Sequence, residues 1–172
     1  MDTTEILQYS KETKADAVAL LKSIGLIQLL NSFGQVITGG SFEYDLMWDA
    51  DIDIIVICKD VRKSSLSALN QLIEAKIAQK YEYGDFESFK RDDRPESYIL
   101  NLVIPYKNRM WEVEIWFFTE IPKSSKEIND LMNSKLDSTT ILEILKMKEK
   151  RKRMGMSKHS LSSVEIYKKV LA

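Results

Sequence analysis

The chain has 172 residues, 44% of them hydrophobic and 30% charged, the make-up of one globular domain with a sizeable core, which excludes disordered, collagen-like and solenoid architectures. Its 25 Lys and Arg against 26 Asp and Glu leave a formal charge of −1, so no global basic field exists to hold a polyanion, and nucleic acid is not the expected partner. A lone Cys58 and a lone His159 exclude an internal disulfide and any multi-thiolate or multi-histidine metal centre.

The first residues, MDTTEILQYSKETK, lack the basic and apolar regions of a signal peptide, and no window reaches the length of an apolar membrane span, so the expected setting is a reducing cytoplasm. From Lys14 to Leu30 the residues Val18, Leu21, Leu26, Leu29 and Leu30 recur at helical spacing, and Asn31-Ser32-Phe33-Gly34 supplies the stop. Gln35 to Thr38 is short and β-prone, Gly39-Gly40-Ser41 interrupts it, and Asp51 to Cys58 reads as a buried strand. Ser65 to Lys80 returns to helical spacing through Leu66, Leu69, Leu72, Ile73, Ile77 and Ala78. Tyr81 to Phe89, Tyr98 to Ile104 and Met110 to Phe118 are expected strands, with Pro105 to Arg109 as the turn between the last two. Beyond Pro122, Ser124 with Glu127, Thr140 with Glu143 and Ser162 with Glu165 mark three capped helix starts. The expectation is one α/β or α+β domain over 1–172, a mixed sheet flanked by helices with a core at about 14–121 and a helical extension at about 122–172.

The chemistry concentrates around the Asp-Ile-Asp segment. A strand has a side-chain period of two, so Asp51 and Asp53 share one face while Ile52, Ile54 and Val56 take the other. Like charges that close are unfavourable unless a cation sits between them, and Mg²⁺ takes hard oxygen ligands. The Gly39-Gly40-Ser41 turn lets backbone N–H groups approach a phosphate. A third carboxylate comes from Glu112 or Glu114, on one face of Trp111 to Trp116. Three carboxylates around two divalent ions form the clamp of in-line phosphoryl or nucleotidyl transfer.

A Gly-Ser turn, a spacer, an Asp-x-Asp pair entering an apolar strand and a later strand acid resemble the nucleotidyltransferase superfamily, whose fold is like that of DNA polymerase beta. The resemblance spans roughly Val36 to Phe118 and extends to small bacterial members, antibiotic and minimal antitoxin-type enzymes among them, with a Trp-x-x-acid-Ile-Trp strand similar to Trp111 to Trp116. It implies that Asp51, Asp53 and Glu114 bind two Mg²⁺ and carry catalysis, with Glu114 favoured over Glu112. It also implies that Gly39, Gly40 and Ser41 bind the triphosphate, most simply of ATP. The third acid is Glu where Asp is commoner, and Asp49 is a rival ligand if the strand starts early.

The implied reaction is NMP transfer to a hydroxyl of a small molecule or protein, with pyrophosphate released. The alternative is an antitoxin-like interaction protein that binds or modifies a partner toxin, and a homodimer completing an acceptor cleft is a further expectation. The Lys146 to Arg153 run suits either a helix end stabilised by the macrodipole or a phosphate-bearing acceptor. Trp48 reads as a base-stacking ring or as packing, Cys58 as core, His159 as surface, and Ser162 to Tyr167 as a pocket wall or a packing helix.

Overall fold

In a computed structural model of the chain, residues 1–92, 95–158 and 160–172 are described; His159 lies outside them. The elements in chain order are α1 (Thr3–Ser23), α2 (Leu26–Asn31), β1 (Gln35–Gly39), α3 (Gly40–Glu43), β2 (Asp51–Ile57), α4 (Val61–Glu74), β3 (Lys80–Asp85), β4 (Tyr98–Tyr106), β5 (Arg109–Phe118), α5 (Lys123–Lys135), α6 (Ser138–Arg153) and α7 (Ser163–Val170). The architecture is α+β, a mixed five-stranded sheet with helices around it, as the sequence predicts. Strand order is β1-β2-β5-β4-β3, and only β2 and β5 run parallel.

The first helix begins far earlier than Lys14 and breaks before Leu26. Its start is a capping box, Asp2 accepting from the Glu5 amide while Glu5 returns to the Asp2 amide. Its buried stripe, Ile6, Ser10, Thr13, Ala17, Leu20 and Leu21, hides polar Ser and Thr among apolar positions, so hydrophobicity alone misses it. The break falls at Gly25, whose φ of +61° is left-handed. Val18 is 47% exposed, outside the core face it was expected to line.

The crossover helix starts at Val61, capped by Asp60, and ends before Ile77 and Ala78 because the chain turns at Lys76. β3 stops at Asp85, short of Phe89, where the Asp85 carboxylate accepts the Glu87 and Ser88 amides and closes a turn. The β4–β5 ladder runs on through Pro105 and Tyr106, leaving a tighter turn than expected at Lys107 and Asn108. Of the three expected caps only Ser162 with Glu165 forms. Asp137 captures the Thr139 and Thr140 amides and so displaces Thr140 from the cap, while α5 begins at Lys123 after Pro122, which supplies no side-chain cap.

Two buried groups hold the molecule. The first fills one sheet face with Ile52, Ile54, Val56, Leu100, Leu102, Val113, Ile115 and Phe117, against Ala17, Leu20 and Leu21 of α1 and Ala68 and Leu72 of α4. Cys58 belongs to it, as read from the strand alternation. The second joins Ile6 to Leu46, Trp48, Met132, Ile144, Leu145, Ile166, Tyr167 and Leu171. Helix α1 therefore bridges the sheet to α5, α6 and α7, and the last two deliver side chains to the sheet's other face. Among the described residues no helix is long and apolar enough to cross a membrane.

Candidate active site

Strand β2 alternates strictly, with Ile52, Ile54 and Val56 fully buried and the intervening residues half-buried. That alternation presents Asp51 and Asp53 together on the face away from the first core. Because β2 pairs in parallel with β5, Asp51 stands beside Glu112 and Asp53 beside Glu114. The two candidates for the third acid thus occupy different surroundings. Glu112 is exposed and pairs with Lys158 at 3.1 Å. Glu114 is half-buried, accepts a hydrogen bond from Trp116 Nε1 at 3.3 Å, and adds its charge to that of Asp51 around Asp53. Burial first, then Asp51 and Glu114, push the Asp53 carboxyl up to about 7.

The Gly-Ser turn abuts this acid. Gly40 has φ +58°, and a Cβ there would lie 1.9 Å from Asp53 Oδ2. Gly39 differs: its Cβ would meet nothing nearer than 4.0 Å. Gly40→Ala is therefore expected to lose about 1–2 kcal/mol from the left-handed backbone alone, and more as the Asp53 carboxylate is displaced. Gly39→Ala should stay close to the parent in urea unfolding, and equal losses for the two would contradict this packing.

Ser41 is 6% exposed and its hydroxyl joins a network that the local sequence does not reveal. Lys148 of α6, 1% exposed, donates to Ser41 Oγ at 2.6 Å, to the Leu46 carbonyl at 2.8 Å and to the Tyr167 hydroxyl at 3.1 Å. Tyr167 of α7 lies 2.9 Å from Ser41 Oγ, and burial raises its phenol above the ordinary value. Burial depresses the Lys148 ammonium to about 7, with Asp51 opposing the shift. One turn on, buried Arg151 pairs with Asp49 and donates to the Leu161 carbonyl at 3.0 Å. Asp49 is thereby engaged by two cations of α6, Arg151 and Lys152. The basic run is more than a charged helix end, since two of its members face inward. A signal for them exists: Lys148 and Arg151 continue the buried Ile144 and Leu145 stripe at helical spacing.

Lys158, in the loop between α6 and α7, reaches the acids from outside, 3.4 Å from Asp51 Oδ2. Burial alone would lower this lysine, but Asp51 and Glu112 raise it above the usual value. Trp48 is 4% exposed and packs on Tyr9 with ring centroids 4.6 Å apart, so it is core and not a stacking platform. Trp116 and Phe118 stack on the acid-bearing side of β5, centroids 6.1 Å apart and ring planes within 6° of parallel.

Asp51, Asp53 and Glu114 offer the hard oxygens that suit Mg²⁺. Asn101, opposite Glu114 on β4, adds a buried Oδ1 with no hydrogen-bond partner among the described residues. The donor set fits a divalent cation, although among the described residues no three Asp, Glu, His or Cys gather as a formed metal cage.

No protein-family model matches the chain, and no curated protein matches it either. Solved structures do. The Cid1 poly(U) polymerase with Mg and 3′-dATP bound superposes with a TM-score of 0.64 at 19% identity, over 98% of this chain and 52% of that one. A cytoplasmic RNA terminal U-transferase gives 0.57 at 18% identity over 88% and 47%, and the GLD-2/RNP-8 complex 0.61 at 13% over 96% and 62%. The chain has the nucleotidyltransferase fold. It spans about half the length of the first two of these proteins, and in this fold the acid pair of β2, the facing acid of β5 and the Gly40-Ser41 turn lie side by side.

Proposed function

We propose that this protein is a Mg²⁺-dependent nucleotidyltransferase that moves an NMP, AMP from ATP in the first instance, onto a hydroxyl of a small-molecule or protein acceptor and releases pyrophosphate. The observation that carries the reading is Asp53 paired with Glu114 across β2 and β5, with Asp51 one strand period away and Gly40 packed on the Asp53 carboxylate. Two Mg²⁺ held by Asp51, Asp53 and Glu114 would supply charge neutralisation at the attacking and leaving oxygens. The acceptor oxygen bonds to the α-phosphorus as the bond to the pyrophosphate oxygen breaks, and Glu114 takes the hydroxyl proton. Ser41 and the backbone at Gly39 and Gly40 hold the triphosphate, and Lys148, hydrogen-bonded to Ser41 Oγ, places positive charge beneath it.

The fold neighbours support nucleotide use, since one is described with Mg and 3′-dATP. Their names also bring UTP and RNA into consideration, and the GLD-2/RNP-8 complex shows this fold in a protein assembly. The test is transfer of label from α-labelled ATP, GTP, CTP and UTP with Mg²⁺ to a panel of hydroxylated small molecules, proteins and a short RNA. Label transfer with matching pyrophosphate release, absent in Asp51→Asn and in Asp53→Asn, is expected. Transfer that persists in both variants contradicts the reading.

A further inference from the structure

The loop joining α6 and α7 carries a cation to the acid face. At a turn by Lys158 the Ser160 amide donates to the Ser157 carbonyl at 3.1 Å, and the Ser157 and Ser160 hydroxyls lie 3.0 Å apart. Lys158 projects from this turn, its Nζ 3.4 Å from Asp51 Oδ2 and 3.1 Å from Glu112 Oε2. The loop is tied down on both sides of that lysine. The Met156 amide donates to the Arg151 carbonyl at 3.1 Å, and Arg151, 2% exposed and paired with Asp49, donates to the Leu161 carbonyl at 3.0 Å. A buried arginine thus fixes the strap that aims Lys158 at Asp51.

An ammonium on Asp51 and a divalent ion on Asp51 compete for the same oxygen and the same charge. Lys158 has 39% of its side chain exposed and Asp51 22%, so the contact is open to exchange with an outside cation.

We propose that Lys158 is a tethered internal cation that holds Asp51 in the metal-free protein and is displaced when a divalent ion binds, releasing the α6–α7 loop. This rests on the reading of Asp51 as a metal ligand. By linkage, whatever weakens the Lys158 contact strengthens metal binding, and metal binding loosens the loop to the same extent. Lys158 is a positioning residue in this scheme, acting through Asp51.

The test is calorimetric titration of Mn²⁺ and of Mg²⁺ into the full chain as wild type, Lys158→Ala, Lys158→Arg, Lys152→Ala and the Asp51→Asn/Asp53→Asn double variant. Lys152 is the control for charge alone, because its Nζ lies 3.6 Å from Asp49 and, among the described residues, in no ion pair with Asp51, Asp53, Glu112 or Glu114. Lys158→Ala should bind Mn²⁺ about threefold tighter or more, as expected for loss of a competing, partly exposed ion pair. Lys152→Ala and Lys158→Arg should stay near the wild type. Amide exchange across residues 154–158 should rise when metal is added to the wild type and be high without metal in Lys158→Ala. Affinity unmoved or weakened by Lys158→Ala, or moved equally by Lys152→Ala, overturns the strap. Should the double variant still abolish binding in that case, the metal site stands without it, whereas binding unmoved by any variant removes both.

Discussion

Asp53→Asn is expected to abolish turnover and yet make the metal-free protein more stable at pH 8. The cause is that burial, Asp51 and Glu114 lift the Asp53 carboxyl to about 7 in the fold, from an ordinary value of 3.8. A group whose folded pKa is raised contributes stability that is complete below its unfolded value and lost as pH climbs through the folded one. The wild type therefore loses stability between about pH 4 and pH 7 as Asp53 ionises, and Asn has no such loss. The full shift corresponds to about 4 kcal/mol, and partial solvent access brings the expected gain at pH 8 to on the order of 2 kcal/mol. Urea unfolding of both proteins without metal, at pH 8 and pH 5, reads it directly: the advantage of Asn should fall to well under half at pH 5. A variant less stable than the wild type at pH 8 would show that the acid face is not under charge strain. Such strain is what a cation site stores, since bound metal relieves it and couples stability to function.

Lys148→Met should weaken nucleotide binding by about tenfold or more, the loss of a buried charge-assisted contact near phosphate, with the fold retained. Met keeps the length of the stem, and Ser41 and Tyr167 remain within 2.9 Å of each other, so the network loses one donor without collapsing. The Leu46 carbonyl is left without that donor, at a cost of about 1–3 kcal/mol. Removal of a buried ammonium offsets much of this near neutral pH. Burial holds Lys148 at about 7, well below 10.5, so the charged form is penalised in the fold. The penalty is complete below about pH 7 and disappears as pH rises toward 10.5. Across that window the wild type should gain stability relative to Lys148→Met in paired urea unfolding curves. Unchanged affinity for Mg-ATP would detach Lys148 from the nucleotide site and leave it a purely structural contact.

The strand that carries the acids was legible because its signal is local. Asp-Ile-Asp-Ile-Ile-Val-Ile alternates at period two, and the same alternation in Trp111 to Trp116 places Glu112 and Glu114 on one face. The choice between them depends on register, which is a tertiary property: Glu114 stands beside Asp53, and Glu112 faces Lys158 in solvent. The Ser162 cap was readable for the same local reason, while Asp137 shows how a stronger neighbouring acceptor shifts a helix start. Helix α1 was half missed because Ser10 and Thr13 occupy its buried stripe.

The side chains around the Gly40-Ser41 turn were hidden by distance along the chain. Ser41 meets Lys148 and Tyr167 across 107 and 126 residues, and no spacing rule connects them. They converge because α1 joins the sheet to the C-terminal helices through Ile6, which packs with Ile144, Leu145 and Ile166. The C-terminal helices therefore do more than extend the domain: α6 and α7 supply part of the wall of the candidate site. The Gly40 requirement was visible as a glycine, but its physical reason is the carboxylate of Asp53 in the space where a Cβ would stand.

The most direct measurement is calorimetric titration of ATP, GTP, CTP and UTP, each with and without Mg²⁺, into the wild type and the Asp51→Asn/Asp53→Asn double variant. At least one triphosphate is expected to bind the wild type only when Mg²⁺ is present, and that binding should vanish in the double variant. Absence of binding by any triphosphate, or Mg²⁺-independent binding that survives the double substitution, would contradict the assignment of these acids to a nucleotidyltransferase centre.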